Sequence, residues 1–273
     1  MFVQEAVVPY DPQSCRETDV VRDPSRRDGL ALVMPMAGRG SRFSRQGVET
    51  PKPLIELSGR PFFWWAAESV RRIAPPGEMV FVVLAEHVRR FAIDEVVRLH
   101  YPDARIVALA DVTSGAAETA AIGLRALEGG GPVAVCDSDH AFACGEGDPV
   151  EGLGRGTDAA LLCFASTDAA YSYAELDSAG AVVGTAEKRV VSPFAIAGCY
   201  LFSSPRTFLD AYSRYRLDCP YDEQFVSGVY RELLASGGRV VKHDLRRHVS
   251  FGTPEELARL LAAPETLRLW TGQ

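Results

Sequence analysis

Residues 34–53 read MPMAGRGSRFSRQGVETPKP and follow a short apolar run. Gly38 and Gly40 lack a Cβ atom, so backbone N–H groups at these positions can close around phosphate oxygens. Arg42 and Lys52 add positive charge of the kind that holds phosphate groups. Two glycines also occur in ordinary strand-to-helix turns, so the pair alone is only weak support for phosphate binding. Glycines, arginine and a Pro-Lys-Pro segment at this spacing together favour a polyphosphate-binding loop.

Short apolar runs alternate with segments of helical periodicity on both sides of this loop. Up to residue 136, the pattern predicts strands at 30–34, 79–84, 105–110 and 132–136 and helices at 62–73, 87–100 and 116–127. Strands of this length separated by helices indicate right-handed crossovers, and therefore a Rossmann-like α/β fold with a mostly parallel sheet flanked by helices. Ligands of such sheets bind beyond the carboxyl ends of the strands, so we expect the site at that edge.

The second half of the chain predicts a mixed sheet. Its pattern indicates strands at 158–164 and 195–202, a hairpin of 171–177 with 181–187, and helices at 205–214, 222–235 and 254–262. Because no linker or internal repeat divides the chain, we predict a single domain over residues 30–273. Residues 1–29 are polar, charged and interrupted by prolines, so we expect a partly disordered N-terminal extension there.

The composition is that of a globular protein, with 47% apolar and 24% charged residues among 273. The net charge of −7 argues against nucleic acid as a partner. No apolar stretch approaches the roughly 20 residues that span a bilayer. Acidic residues and prolines occur within the first 20 residues, where a signal peptide would need an uninterrupted apolar stretch. We therefore expect a cytoplasmic protein without membrane contact.

The six cysteines lack C-x-x-C pairs, which favours free thiols over zinc ligands.

An acidic cluster follows the strand predicted at 132–136, where the sequence reads Asp137-Ser138-Asp139-His140. Magnesium prefers one or two carboxylates together with substrate oxygens, so Asp137 and Asp139 are candidate ligands. Aspartate and serine are also ordinary turn residues. The metal interpretation is favoured because this strand is predicted to lie beside the glycine loop.

The pattern G-x-G-x-R-F followed by P-K-P-L resembles the signature of the nucleotidyltransferases that make sugar nucleotides, the nucleoside-diphosphate-sugar pyrophosphorylases, over about residues 30–262. The variant PMAG at 35–38, with SRF at 41–43, is similar to a bacterial capsule and surface-polysaccharide subgroup that includes cytidylyltransferases. The resemblance implies the nucleotide-diphospho-sugar transferase fold. It also implies Mg²⁺-dependent transfer from an NTP to a sugar 1-phosphate, or a similar small phosphorylated metabolite, with release of pyrophosphate.

Further expectations come from this resemblance alone. It implies nucleotide binding by residues 30–145 and acceptor binding by residues 146–273. CTP is the first expectation for the nucleotide, and a homodimer is one assembly that relatives adopt. The expected catalytic residues, which would contact the phosphates, are Arg42, Lys52 and Lys188. The nucleotide-binding positions are Met36, Ala37, Gly38, Gly40, Ser41, Ser114 and Gly115. The metal ligands are Asp139 and, beside it, Asp137, and the acceptor-binding positions are Glu187, Lys188, Gly198 and Glu223.

Two of these positions also fit simpler interpretations. The segment 113–118 reads TSGAAE and lacks the glutamine that relatives carry there. The resemblance therefore leaves the identity of the nucleotide base open. Ser114 is equally suited to be a helix N-cap. Asp222 and Glu223 would lie in the first turn of the helix predicted at 222–235, where the helix macrodipole favours acids without any ligand.

The tail of the chain departs from the family pattern at Ser250, where the motif Asp-x-Gly-Thr-Pro-Glu has its aspartate. Asp137, Asp222 or a water would replace that carboxylate, or metal binding rests mainly on Asp139. The departure leaves room for a catalytically inactive regulator that binds sugar nucleotides. A third alternative is a nucleotide-sugar-dependent glycosyltransferase, because Asp137-Ser138-Asp139 has the D-x-D form that those enzymes use for a nucleotide diphosphate.

Overall fold

The computed structural model describes residues 29–267, so the extension predicted for residues 1–29 lies outside the described residues apart from Gly29. The strands are β1 (Ala31–Met36), β2 (Glu56–Leu57), β3 (Arg60–Pro61), β4 (Met79–Leu84), β5 (Arg105–Leu109), β6 (Val133–Cys136), β7 (His140–Cys144), β8 (Ala159–Ala165), β9 (Tyr173–Leu176), β10 (Val182–Ala186), β11 (Phe194–Phe202) and β12 (Val240–Ser250). The helices are α1 (Ser41–Ser44), α2 (Phe62–Arg71), α3 (Ala85–Phe91), α4 (Ile93–His100), α5 (Ala116–Arg125), α6 (Pro205–Tyr215), α7 (Val226–Ala235) and α8 (Pro254–Ala262). Short 3₁₀ turns occupy Lys52–Leu54 and Pro264–Leu267.

One mixed sheet organises these elements. Its strands follow the order β5-β4-β1-β6-β11-β8-β12-β7, and β9 pairs with β11 and carries β10. The strands β5, β4, β1 and β6 are parallel neighbours, and so are β8 and β12. In contrast, β11 runs antiparallel to β6 and β8, and β7 runs antiparallel to β12. The predicted α/β fold, with a mostly parallel mixed sheet flanked by helices, is confirmed.

Some element predictions were wrong. The helix predicted at 87–100 is divided into α3 and α4 by Ala92, whose φ of 49° places it in the left-handed region. The helix predicted at 222–235 begins only at Val226. The strands β7 and β12 were not predicted. β12 reads VVKHDLRRHVS, and because only Val240 and Val249 in it are buried, it has neither an apolar run nor an apolar alternation that would indicate a strand.

Side chains alternate between the two faces of the sheet along each strand, and in β1 those on both faces are apolar. Helices therefore cover both faces. Leu32 and Met34 belong to a buried cluster with α2 and α4, whereas Val33 belongs to a second cluster with α5, α6 and α7. Gly123 of α5 permits close approach, since an added Cβ would lie 2.6 Å from Val33 Cγ1 and 2.8 Å from Val82 Cγ2. Burial of each large apolar side chain stabilises the fold by roughly 1.5–3 kcal/mol, so packing on both faces fixes the strand ends.

The strand order brings several loops to one edge. The carboxyl ends of β1, β5 and β6 lead into residues 37–40, 110–115 and 137–139. Because β11 is antiparallel to β6, Gly198 lies beside Asp137 at the same edge, and its carbonyl accepts a hydrogen bond of 2.8 Å from Asp137 N–H. This is the edge at which an α/β sheet binds ligands. Among residues 29–267, no helix combines the length and apolarity that crossing a bilayer requires.

Candidate active site

A cleft of about 660 Å³ opens at this edge of the sheet. The residues predicted for the site all line it, and these are Met36, Ala37, Gly38, Gly40, Ser41, Arg42, Lys52, Ser114, Gly115, Asp137, Asp139, Glu187, Lys188, Gly198 and Glu223. The volume lies within the range of about 300–1,000 Å³ that is typical of small-molecule sites. The fold therefore brings together residues that are up to 187 positions apart in the sequence, from 36 to 223.

The glycine loop turns sharply from β1 into the short helix α1. Gly40 has φ 60° and ψ 37°, a left-handed conformation that favours glycine, and an added Cβ would lie 3.2 Å from Lys52 Cβ. Phe43 anchors the turn, because its buried ring lies 6.0 Å from that of Phe62, edge to face. With Phe43 turned into the core, the neighbouring Arg42 is exposed and lines the cleft.

Lys52 forms an ion pair with the acidic cluster. Its Nζ lies 2.9 Å from Asp139 Oδ2, and the two side chains are only 29% and 13% exposed. Burial alone would raise the pKa of Asp139, but the charge and the hydrogen bond of the Lys52 ammonium hold it well below its ordinary value. Burial would likewise lower the pKa of Lys52, and Asp139 raises it instead. Asp139 is therefore a carboxylate and Lys52 a cation at neutral pH.

Asp137 behaves differently from its neighbour. Burial, with the nearby charge of Asp139, raises the pKa of Asp137 to about 7, although Lys52 opposes this shift. Carboxylate or imidazole atoms of Asp137, Asp139 and His140 all lie within 4.8 Å of one another. Two carboxylates suit Mg²⁺, and the Lys52 ammonium already takes the place of a cation on one of them. These residues therefore fit a divalent metal ion.

The tail of the chain packs against this cluster. In the antiparallel pairing of β12 with β7, Ser250 lies opposite His140, and Phe251 N–H donates a 3.0 Å hydrogen bond to the Asp139 carbonyl. An added Cβ on Gly252 would lie 2.1 Å from Asp139 Oδ2, so a side chain there would displace the carboxylate. Asp222, which we considered as a replacement for the family's tail aspartate, is exposed and is not among the residues that line the cleft.

Two histidines beside Asp139 were not identified from the sequence as part of a site. His140 Nδ1 lies 2.8 Å from His248 Nε2, and His140 Nε2 lies 3.4 Å from Asp139 Oδ1. The His248 ring stacks on Phe164 with centroids 3.7 Å apart. Burial lowers the pKa of both histidines, so the pair is held as neutral imidazoles. Only the pairing of β7 with β12 could have revealed this contact.

The loop before α5 closes another side of the cleft. Gly115, not Ser114, is the N-cap residue of α5, so the alternative of Ser114 as a cap was wrong. Gly115 has φ 150°, and an added Cβ would lie 2.5 Å from the backbone nitrogen of Gln224. Gln224 also donates a 2.8 Å backbone hydrogen bond to Ser114 and accepts one from Ala117. The loop is therefore docked directly onto the second half of the chain.

The far side of the cleft is formed by β10 and the segment before α7. Glu187 accepts hydrogen bonds from the hydroxyls of Ser172 and Ser227, the latter at 2.8 Å. The ammonium of Lys188 lies 4.6 Å from the centroid of the Phe225 ring. Glu223 lies before the first turn of α7, so the interpretation of this acid as a partner of the helix macrodipole was wrong.

The chain is similar to one protein-family model and to several solved structures. Residues 32–146 match the family model of the MobA-like NTP transferase domain. The nucleoside-diphosphate-sugar pyrophosphorylase from Vibrio cholerae RC9 is similar in structure, with a TM-score of 0.74, 24% sequence identity and coverage of 85% of this chain and 99% of that chain. The inositol-1-phosphate CTP transferase from T. maritima has a TM-score of 0.67 and 14% identity, over 88% of this chain and 96% of that chain. No curated protein sequence matches this chain significantly.

Proposed function

We propose that this protein is a nucleotidyltransferase that joins an NTP to a small phosphorylated acceptor, such as a sugar 1-phosphate, and releases pyrophosphate. One observation carries the proposal, namely that a single cleft contains Arg42 and Lys52, the carboxylates Asp137 and Asp139, and the Glu187-Lys188 pair. Cations and carboxylates in this combination suit a polyphosphate, a divalent metal and a second anionic substrate. The match of residues 32–146 to an NTP transferase domain supports the same conclusion.

The reaction we propose needs no nucleophile from the protein. A phosphate oxygen of the acceptor, already ionised at neutral pH, forms a bond to the α-phosphorus of the NTP. The bond from that phosphorus to the bridging oxygen of the β-phosphate breaks, and pyrophosphate leaves with the electron pair. The protein accelerates such a step by aligning the two substrates and by neutralising charge.

Residues on the β1 side of the cleft suit the nucleotide. Arg42 would hold the departing β- and γ-phosphates, and Lys52 the α-phosphate, while the backbone of residues 37–41 lines the triphosphate. Asp139 and Asp137 would hold Mg²⁺, which supplies charge neutralisation between the reacting phosphates when it is bound. The ion pair of Lys52 with Asp139 keeps the ammonium at the acidic cluster before any substrate arrives.

The opposite side of the cleft suits the acceptor. One oxygen of Glu187 is occupied by two serine hydroxyls, so the carboxylate is held in place and its second oxygen is available to accept hydrogen bonds from a polyol. Lys188 would bind the acceptor phosphate. Its contact with Phe225, an aromatic ring in the same cleft, holds the ammonium close to that position.

A substitution tests this assignment of the acceptor side. Glu187→Gln should raise KM for the acceptor by about tenfold, or about 1.4 kcal/mol, because a charged acceptor of hydrogen bonds becomes a neutral amide. KM for the NTP should change by less than twofold. Initial rates of pyrophosphate release with each substrate varied in turn measure both constants. Glu175→Gln, an exposed glutamate on β9, is the matched control and should leave both unchanged.

The identity of the substrates belongs to the same proposal. CTP is our first choice, because the PMAG segment at 35–38 resembles cytidylyltransferases and one structural neighbour is described as a CTP transferase. We also propose a homodimer, and a role in surface-polysaccharide precursor synthesis, with secondary-metabolite synthesis as an equal alternative. A cytoplasmic location is proposed because an NTP is available there and the five cysteines of the described residues are free thiols. A single domain over residues 30–273 is supported by one sheet that takes strands from both halves.

The proposed function is tested by mixing the protein with Mg²⁺, each of the four common NTPs and a panel of phosphorylated acceptors. We expect pyrophosphate and a nucleotide-linked product for one NTP and one class of acceptor. Binding without pyrophosphate in every combination would favour the inactive regulator. Sugar transfer from a nucleotide sugar, again without pyrophosphate, would favour a glycosyltransferase that uses Asp137-Ser138-Asp139.

A further inference from the structure

His140 directs a ring nitrogen at the acidic cluster. It follows Asp139 directly in the sequence, and its Nε2 lies 3.4 Å from Asp139 Oδ1. The His140 side chain is only 11% exposed, so little water reaches it except from the cleft. The nitrogen therefore lies where a third protein ligand would complete a site that begins with two carboxylates.

The His140 ring and the Asp137 carboxylate both pack closely against the backbone of Gly198 on β11. A Cβ added to Gly198 would lie 3.0 Å from His140 Nε2 and 3.0 Å from Asp137 Oδ2. Gly198 also has φ 67°, a conformation that favours glycine. The imidazole nitrogen and the carboxylate oxygen thus lie close to one another beside Gly198, an approach that is possible because this residue has no side chain.

The other ring nitrogen of His140 is fixed by a partner outside the cluster. His140 Nδ1 and His248 Nε2 are 2.8 Å apart, and the His248 ring is held by stacking on Phe164. When His140 Nδ1–H donates to His248 Nε2, the lone pair of His140 is on Nε2 and faces the carboxylates. A hydrogen bond of this kind to the second nitrogen is the usual support of a metal-binding histidine, because it fixes both the tautomer and the ring orientation.

We propose that His140 Nε2 is the third protein ligand of the divalent cation that Asp137 and Asp139 hold, and that His248 is its positioning residue. The inference rests on the proposed function only in taking this cluster as the metal site. Imidazole favours Mn²⁺ and later transition metals over Mg²⁺, which prefers oxygen. The free protein should therefore bind Mn²⁺ at least tenfold more tightly than Mg²⁺.

The direct test is pulsed electron paramagnetic resonance of the full chain with Mn²⁺, once with the metal alone and once with CTP added. An imidazole bound to Mn²⁺ gives a ¹⁴N modulation of the electron spin echo, and we expect that signal in the wild type. It should disappear in His140→Gln and persist in His243→Gln, a control histidine on β12 that does not line the cleft. Absence of nitrogen modulation from the wild type under both conditions would overturn the proposal without reference to any variant.

A competition titration separates a ligand from a hydrogen-bonding residue. His140→Gln should weaken Mn²⁺ binding by tenfold or more and Mg²⁺ binding by less than threefold, because only the softer metal gains from nitrogen. Equal losses for both metals would mean that His140 acts only by hydrogen bonding to Asp139, which contradicts the proposal. Neither measurement uses the acceptor or pyrophosphate release. Failure of the transferase reaction is therefore distinguishable from failure of this metal site.

Discussion

Lys52→Ala should lower kcat/KM for pyrophosphate formation by two to three orders of magnitude. One preorganised charge contact with a reacting phosphate contributes about 3 kcal/mol to the transition state, or roughly two decades in rate. Removing Lys52 also takes away the ammonium that lies 2.9 Å from Asp139 Oδ2. Because that ammonium holds the pKa of Asp139 down, the variant should take up protons at this carboxyl more readily and bind metal ions less tightly at low pH.

Two further variants make this result specific. Lys52→Arg keeps the positive charge and should retain more activity than Lys52→Ala, although the longer guanidinium fits the ion pair with Asp139 less well. Lys242→Ala is the control, because Lys242 lies on β12 and pairs with Asp244 outside the cleft. Steady-state rates with saturating and limiting NTP measure the effect. A loss of less than threefold in Lys52→Ala, or an equal loss in Lys242→Ala, would contradict the role given to Lys52.

The first half of the site was predictable because its signals are local. Apolar runs such as Met79–Leu84 are bounded by helical segments, so the positions of the strands and their parallel pairing follow from the pattern. The glycine loop and Asp137-Ser138-Asp139 each follow directly after such a run. Once the strands are parallel neighbours, their carboxyl ends must share an edge, and the cleft is found there.

The rest of the site depends on contacts that no local pattern encodes. His248 reaches His140, and Gly252 reaches Asp139, because β12 pairs with β7 across a separation of more than 100 residues. β12 is mostly exposed or half-buried and rich in charged residues, so its sequence carries little of the apolar signal by which strands are recognised. The left-handed conformation of Ala92, which ends α3, has no signal either, since alanine ordinarily favours continuing a helix.

Asp137→Asn should have opposite effects on activity and on stability. In the folded protein without metal, burial and the charge of Asp139 raise the pKa of Asp137 to about 7, compared with an ordinary value of 3.8. Ionisation of this carboxyl therefore costs the folded state stability. The cost is complete above pH 7, falls as the pH decreases and vanishes below the ordinary pKa, where both folded and unfolded chains bind the proton. Asparagine is neutral throughout and avoids that cost.

We expect Asp137→Asn to raise the free energy of unfolding by about 2 kcal/mol at pH 8, after allowance for solvent that reaches this half-buried group, and by only a few tenths at pH 4. Urea denaturation with a chelator present measures both values. At pH 8 with metal, kcat/KM should fall by about two decades, because a carboxylate that binds the cation is lost. Asp103→Asn, an exposed surface acid, is the control and should change neither quantity. Equal destabilisation at both pH values would instead mean that the carboxylate supports the fold. If the free energy of unfolding increases only at high pH while activity is lost, the charge of Asp137 destabilises the fold but is needed for the reaction.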